Sequence, residues 1–252
     1  MLSVRTAAVL AALTMLAAAP ASGPPGDATS PEFVEAFDGE DRLVTNAYAH
    51  DNPTASDAVT SPVWDVTSGS MFVRDDAAWT GAIDREQPGP RSAVATGSAA
   101  FRAFARVDRP GDVAMTLRLS AIAFADTEPT NAWDGVHVLL RADGETEFYS
   151  ISVLRRDGKV VVKRKFPSGP SDATRYETLA MTDYSGLGPG WHDVRITASD
   201  RDRDVVIEVF IDGVHVVTAV DNGQYGPPIT EGGAVAIRGD NLEFSFDDVT
   251  ID

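Results

Sequence analysis

From Val113 to the C terminus, aliphatic and polar residues alternate in run after run, and each run is short. "DVAMTLRLSAIAF" sets Val113, Met115, Leu117 and Leu119 two apart. "GVHVLLRA" does the same with Val136, Val138 and Leu140, and "WHDVRITASD" with Val194 and Ile196. Side chains of a strand point to opposite faces in turn, so a period of two reads as strands with one buried face. "RDGK" and "FIDGVH" place Asp157-Gly158 and Asp212-Gly213 between such runs, a hairpin signal. "AVAIRGDNLEFSFDDVTI" supplies two more strands around "GDN". There are no heptads and no helical stripe. The pattern predicts an all-β fold, a two-layer antiparallel β-sandwich.

The earlier region is less regular. The segment 46–81 is rich in Asn, Asp, Ser, Thr and Pro, and one strand is expected within "VWDVTSGSMFVRD". Residues 1–21 read as a signal peptide, with Arg5, the apolar "AAVLAALTMLAAA" and the small-x-small "APA". "SGPPGDATSP", residues 22–31, reads as a linker, and residues 32–252 as a single domain. No later run is long enough to span a membrane. Secretion is expected, yet the chain has no cysteine, which removes disulfides and thiolate chemistry. The net charge of −17 disfavours nucleic acid and anionic membranes as general partners.

Four pieces in order, "FVEAFDGEDRL", "GWHDVRITA", "VIEVFIDGVHV" and "GGAVAIRGDNLEFSFDDVTI", resemble the concanavalin A-like lectin/glucanase superfamily, especially laminin-G-like jelly rolls of secreted bacterial proteins. The resemblance implies a jelly roll whose Phe-Asp-Asp ending lies near the first strand. It is specific for fold and weak for function, because the fold carries lectins, hydrolases, lyases and spacers. It also implies that a calcium site can clip the first and last strands. "FDGED" and "FDDV" offer carboxylates for one, and Asp38, Asp247 and Asp248 are the candidate ligands.

The strand meander 135–165 carries the site hypothesis. Parity places His137 and Arg141 on the polar face of the first strand. Ser150, Ser152 and Arg156 follow on the second, and Lys163 and Lys165 on the third. Between His137 and Lys165 stand seven Lys/Arg and four Asp/Glu, a local excess of positive charge in an acidic chain. Such a patch focuses anions, and Trp133 just before it suits stacking on a sugar. The expected partner is an acidic polysaccharide. The other reading of the patch is a solvated sheet face, as in a structural cell-envelope module.

Catalytic motifs are weaker. "EAFDGE", Glu35 to Glu40, splits its acids across both strand faces, unlike the Glu-x-Asp-x-x-Glu of glucanases on this fold. No nucleophile elbow or His-Glu-x-x-His occurs, and the four histidines, at 50, 137, 192 and 215, are scattered. A polysaccharide lyase acting on a uronate polymer is the alternative, with His137 and Arg141 as its candidates. Lyases resembling this fold carry Gln-x-His, whereas here Gly135 precedes His137, and Tyr149 faces the other way by parity.

Overall fold

The computed structural model describes residues 33–83, 89, 100–108, 111–126, 130–169 and 173–252. The expected signal peptide and linker lie outside them. Sixteen strands follow in order: β1 Phe33–Glu35, β2 Arg42–Asn46, β3 Trp64–Ser68, β4 Ser70–Arg74, β5 Ala77–Trp79, β6 Ala100–Ala105, β7 Val113–Phe124 and β8 Gly135–Asp143. Then come β9 Glu147–Val153, β10 Lys159–Pro167, β11 Thr174–Asp183, β12 Trp191–Arg201, β13 Asp204–Ile211, β14 Val214–Asp221, β15 Ala234–Asp240 and β16 Leu242–Ile251. One short helix, α1 Ala47–Asp51, is capped by the Asn46 side chain, which accepts the Ala49 N–H. No helix among the described residues is long and apolar enough to cross a membrane.

The strands form two antiparallel sheets, as the alternation predicts. One runs β14-β13-β12-β7-β16-β5-β4-β2, with β1 also paired to β16, and the other runs β11-β10-β9-β8-β15-β6-β3. The first and last strands meet as expected, Phe33 opposite Ile251. Met115, Leu117, Leu119, Val194 and Ile196 from one sheet are buried in a common core with Val136, Val138, Leu140, Ile151, Val160 and Val162 from the other. An aromatic cluster of Phe37, Trp64, Phe101, Phe244 and Phe246 extends that core. Each large aliphatic side chain so buried contributes about 1.5–3 kcal/mol, which is why alternation decides the fold.

Two local readings need correction. "VWDVTSGSMFVRD" forms two strands, because Gly69 at φ 80° turns the chain between them and sends β3 and β4 into different sheets. The link from β9 to β10 holds five residues, 154–158, closed by the Gly158 N–H donating to the Arg155 carbonyl at 3.0 Å. It is longer than a two-residue turn at Asp157-Gly158, since Leu154 leaves the ladder at φ 48°.

Candidate functional site

β8, β9 and β10 pair as the expected meander, and their outward residues fall into cross-strand rows. His137 sits opposite Ser152 and, on its other side, Arg238 of β15. Ser150 sits opposite Lys163 and Leu139. These rows floor a groove of about 360 Å³ lined by Trp133, His137, Ser150, Ser152, Arg155, Lys163, Tyr176, Arg238 and Asp240. Trp133 is 51 % exposed and Tyr176 is also exposed, so two rings stand at solvent beside a floor of buried hydroxyls.

Trp133 is held in place from below. The buried Asp134 carboxylate accepts the Asn131 N–H at 3.1 Å, the Asn241 Nδ2 at 3.1 Å and the Arg156 Nε at 3.3 Å. The Arg156 N–H also donates to the Asp134 carbonyl at 2.8 Å. Gly135 then lets β8 pass against β9: a Cβ there would lie 2.6 Å from the Leu154 carbonyl oxygen, and its φ of 153° is one that side chains rarely adopt. The consequence is a fixed spacing between the Trp133 turn and Arg155.

His137 donates or accepts through Nδ1 with Ser152 Oγ at 2.7 Å, and its Nε2 lies 3.3 Å from Asp240 Oδ2 without hydrogen-bond alignment. Burial holds the imidazole below its ordinary pKa, against the pull of Asp240, so it is neutral near pH 7. Lys163 forms no ion pair among the described residues, and its ammonium lies 5.9 Å from the Tyr176 ring centre. Burial, then the neighbouring Arg155, draw its pKa below the usual lysine value.

Of the residues expected on the cationic face, the structure brings Trp133, His137, Ser150, Ser152 and Lys163 together. Arg141 does not join them. It stands at φ 52° where the β8–β9 register slips, and its side chain is 0 % exposed. Nη1 donates to Asp200 at 2.6 Å and to the Ile229 carbonyl at 2.7 Å, while Nη2 donates to Asp112 at 3.3 Å. It therefore cannot neutralise a substrate carboxylate in the groove. Arg156 is also diverted: the positive φ at Leu154, just past the end of β9, reverses parity, so Arg156 holds Asp134 and lies over Phe124 at 4.5 Å, and Arg155 takes the groove position. Lys165 lies just outside, against the Phe148 and Tyr176 rings, and donates to the Glu145 carbonyl.

Arg155, Tyr176, Arg238 and Asp240 are groove residues that sequence parity did not assign. Arg238 and Asp240 were accessible to it, because "AVAIRGD" alternates with Val235 and Ile237 inward. Tyr149 faces the core as expected and donates to Asp221 at 2.7 Å.

The residues expected as calcium ligands near the chain ends have the following partners. Asp247 Oδ1 accepts the Phe37 N–H at 3.3 Å, Asp248 pairs with Arg118 Nη1 at 3.4 Å, and the Asp38 carbonyl accepts from Arg42 at 3.3 Å. Among the described residues no group of three or more His, Asp or Glu is placed to hold a metal. The first and last strands are tied instead by the β1–β16 ladder and the Asp247 bond.

No family model and no curated protein matches the chain. Solved structures do. A carbohydrate-binding module, CBM66 from Bacillus subtilis, aligns with a TM-score of 0.51 at 13 % identity over 75 % of this chain and 94 % of that one. An endo-1,3-beta-glucanase from Streptomyces sioyaensis aligns with a TM-score of 0.55 at 12 % identity over 92 % and 98 %. A Bacillus subtilis protein of unknown function with a galectin-like fold gives 0.51 at 13 % over 75 % and 88 %. The chain thus shares the jelly-roll β-sandwich fold of these proteins, and at these identities the likeness concerns fold alone.

Proposed function

We propose that the protein is exported by its N-terminal segment and binds a polysaccharide, an acidic one by preference, in the groove on the outer face of the seven-stranded sheet. One observation carries this reading. Two exposed aromatic rings flank buried serine hydroxyls and three cations, Arg155, Lys163 and Arg238, against two carboxylates, Asp157 and Asp240, in a chain of net charge −17. Aromatic rings take the apolar face of a pyranose and hydroxyls its edge, while a positive groove in a negative field concentrates anions. The names of two structurally similar proteins, a carbohydrate-binding module and a glucanase, support a glycan ligand.

Calorimetric titration with polygalacturonate, alginate and the neutral glucan laminarin tests the reading. Binding of the acidic polymers is expected, weakening as salt shortens the reach of the exposed charges to about 8–10 Å. Binding confined to laminarin, or none, contradicts it. Ultraviolet absorbance in the same mixtures detects unsaturated uronates. Their appearance would make the groove a lyase site with His137 as its candidate base, since Arg141 lies in the interior.

A further inference from the structure

The positive groups in the groove are not equivalent. Arg238 Nε donates to Asp240 Oδ1 at 2.8 Å, so that end of the groove carries its own counter-charge. Arg155 is clamped by Asp157, Nε to Oδ1 at 2.8 Å and Nη2 to Oδ2 at 2.6 Å. That clamp fixes the guanidinium plane and occupies one edge. Nη1 remains, buried and without a hydrogen-bond partner, on a side chain only 7 % exposed that lines the groove. Lys163 beside it forms no ion pair within 4 Å among the described residues, though the Asp157 carboxylate acts on it from farther away, and Ser150, opposite Lys163 in the ladder, makes no side-chain hydrogen bond among them. A buried donor left over in this way costs stability unless something accepts from it.

We infer that Arg155 Nη1, Lys163 Nζ and Ser150 Oγ form a subsite for the carboxylate of a hexuronate whose ring rests on Trp133. The inference depends on the glycan reading of the groove and adds the charged group and its place. The unpartnered Arg155 Nη1 and the Lys163 ammonium, which makes no hydrogen bond among the described residues, supply donors for the two oxygens of a carboxylate, and the serine hydroxyl adds one more. A sulfate ester presents three terminal oxygens and would ask for the second guanidinium edge, which Asp157 holds. The carboxyl group leaves a pyranose from its edge, so the ring face stays free to stack. Because Gly135 and the Asp157 clamp fix Arg155 before any ligand arrives, little ordering remains to oppose binding.

The test is titration of the intact protein with trimers of galacturonate, glucuronate and mannuronate, their carboxyl-reduced counterparts, and a sulfated neutral trimer. At least one acidic trimer should bind about tenfold or more tightly than its reduced form, the worth of one charge-assisted hydrogen bond. Lys163→Met should erase that ratio. Arg155→Lys, which keeps charge but loses the fixed plane, should reduce it. Arg195→Gln removes a positive charge from β12 in the other sheet and should leave the ratio intact. Equal binding of acidic and reduced trimers would overturn the subsite while leaving glycan binding standing. Preference for the sulfated trimer would overturn the carboxylate. A ratio lost equally in Arg195→Gln would reduce the effect to net charge. Binding of no trimer of either kind would overturn the glycan reading as well.

Discussion

Lys163 and Arg164 are neighbours in the chain and face opposite sides of β10, one half-buried and one buried, and the two sides treat a positive charge differently. Inside, Arg164 is met by Asp221 at 3.0 Å, Glu147 at 3.2 Å and the carbonyls of Gly226 and Pro227 at 2.9 and 2.6 Å. Only its Nε lacks a partner, as with Arg141, and two carboxylates face each guanidinium. These arginines strap the 222–233 loop across the edge of the sandwich. Outside, Lys163 has an aromatic ring, the neighbouring Arg155 and, beyond ion-pair distance, the Asp157 carboxylate that Arg155 already engages. A cation whose charge the protein itself balances belongs to the structure; one left unbalanced in a groove is available to a ligand.

The largest effect is expected at Arg164. Arg164→Ala leaves the Asp221 carboxylate, 1 % exposed, with only Tyr149 and the Gly223 N–H as donors. Denaturant unfolding should show a loss of about 3–5 kcal/mol, the usual result of removing one member of a buried pair. A loss under about 1 kcal/mol, the range of an exposed pair, would mean the strap does not depend on it. Lys163→Met is the mirror experiment. Its stability should stay within roughly 0.5 kcal/mol of the parent while uronate affinity falls about tenfold, and the two readouts together separate the faces.

Two histidines extend the contrast through the sign of their pH response. His137 is held below its unfolded pKa, chiefly by burial, with Asp240, Arg238, Arg155 and Ser152 around it. The unfolded chain then binds the proton better, so stability is lost as pH falls below about 6.5. His192 is raised: burial opposes its charge, but Asp212 at 2.8 Å, the Gly188 carbonyl at 2.9 Å and Asp193 outweigh it. Its contribution is present below the unfolded pKa and lost as pH rises through the folded one. His137→Gln should therefore flatten the acid side of a stability–pH curve, and His192→Gln its decline above about pH 6.5. Curves that keep their shape in both variants would contradict the assignments.

Alternation made the sandwich, its core strands and the outward faces of β8 to β10 legible up to Leu140 in β8 and Val153 in β9. Beyond those points the sequence still alternates but the backbone does not. Arg141 and Leu154 adopt φ values of 52° and 48°, uncommon for such residues, and each reverses the parity of the residues after it. Residue type carries no sign of that, so Arg141 is expected outside and lies inside, and Arg156 is expected where Arg155 stands. Tyr176 escaped because β11 has little buried on either face, and so no aliphatic stripe marks it as a strand. Asp247 and Asp248 adjoin in sequence, yet one accepts the Phe37 N–H and the other pairs with Arg118.

Whether the cationic groove of the outer face receives an acidic glycan is decided by hydrogen exchange of the protein with and without a saturating oligouronate. Protection is expected in 131–137, 150–157 and the segment around Tyr176, with the nine-stranded sheet unchanged. Protection centred on the nine-stranded sheet, or on the 222–233 loop held by Arg141 and Arg164, would contradict it.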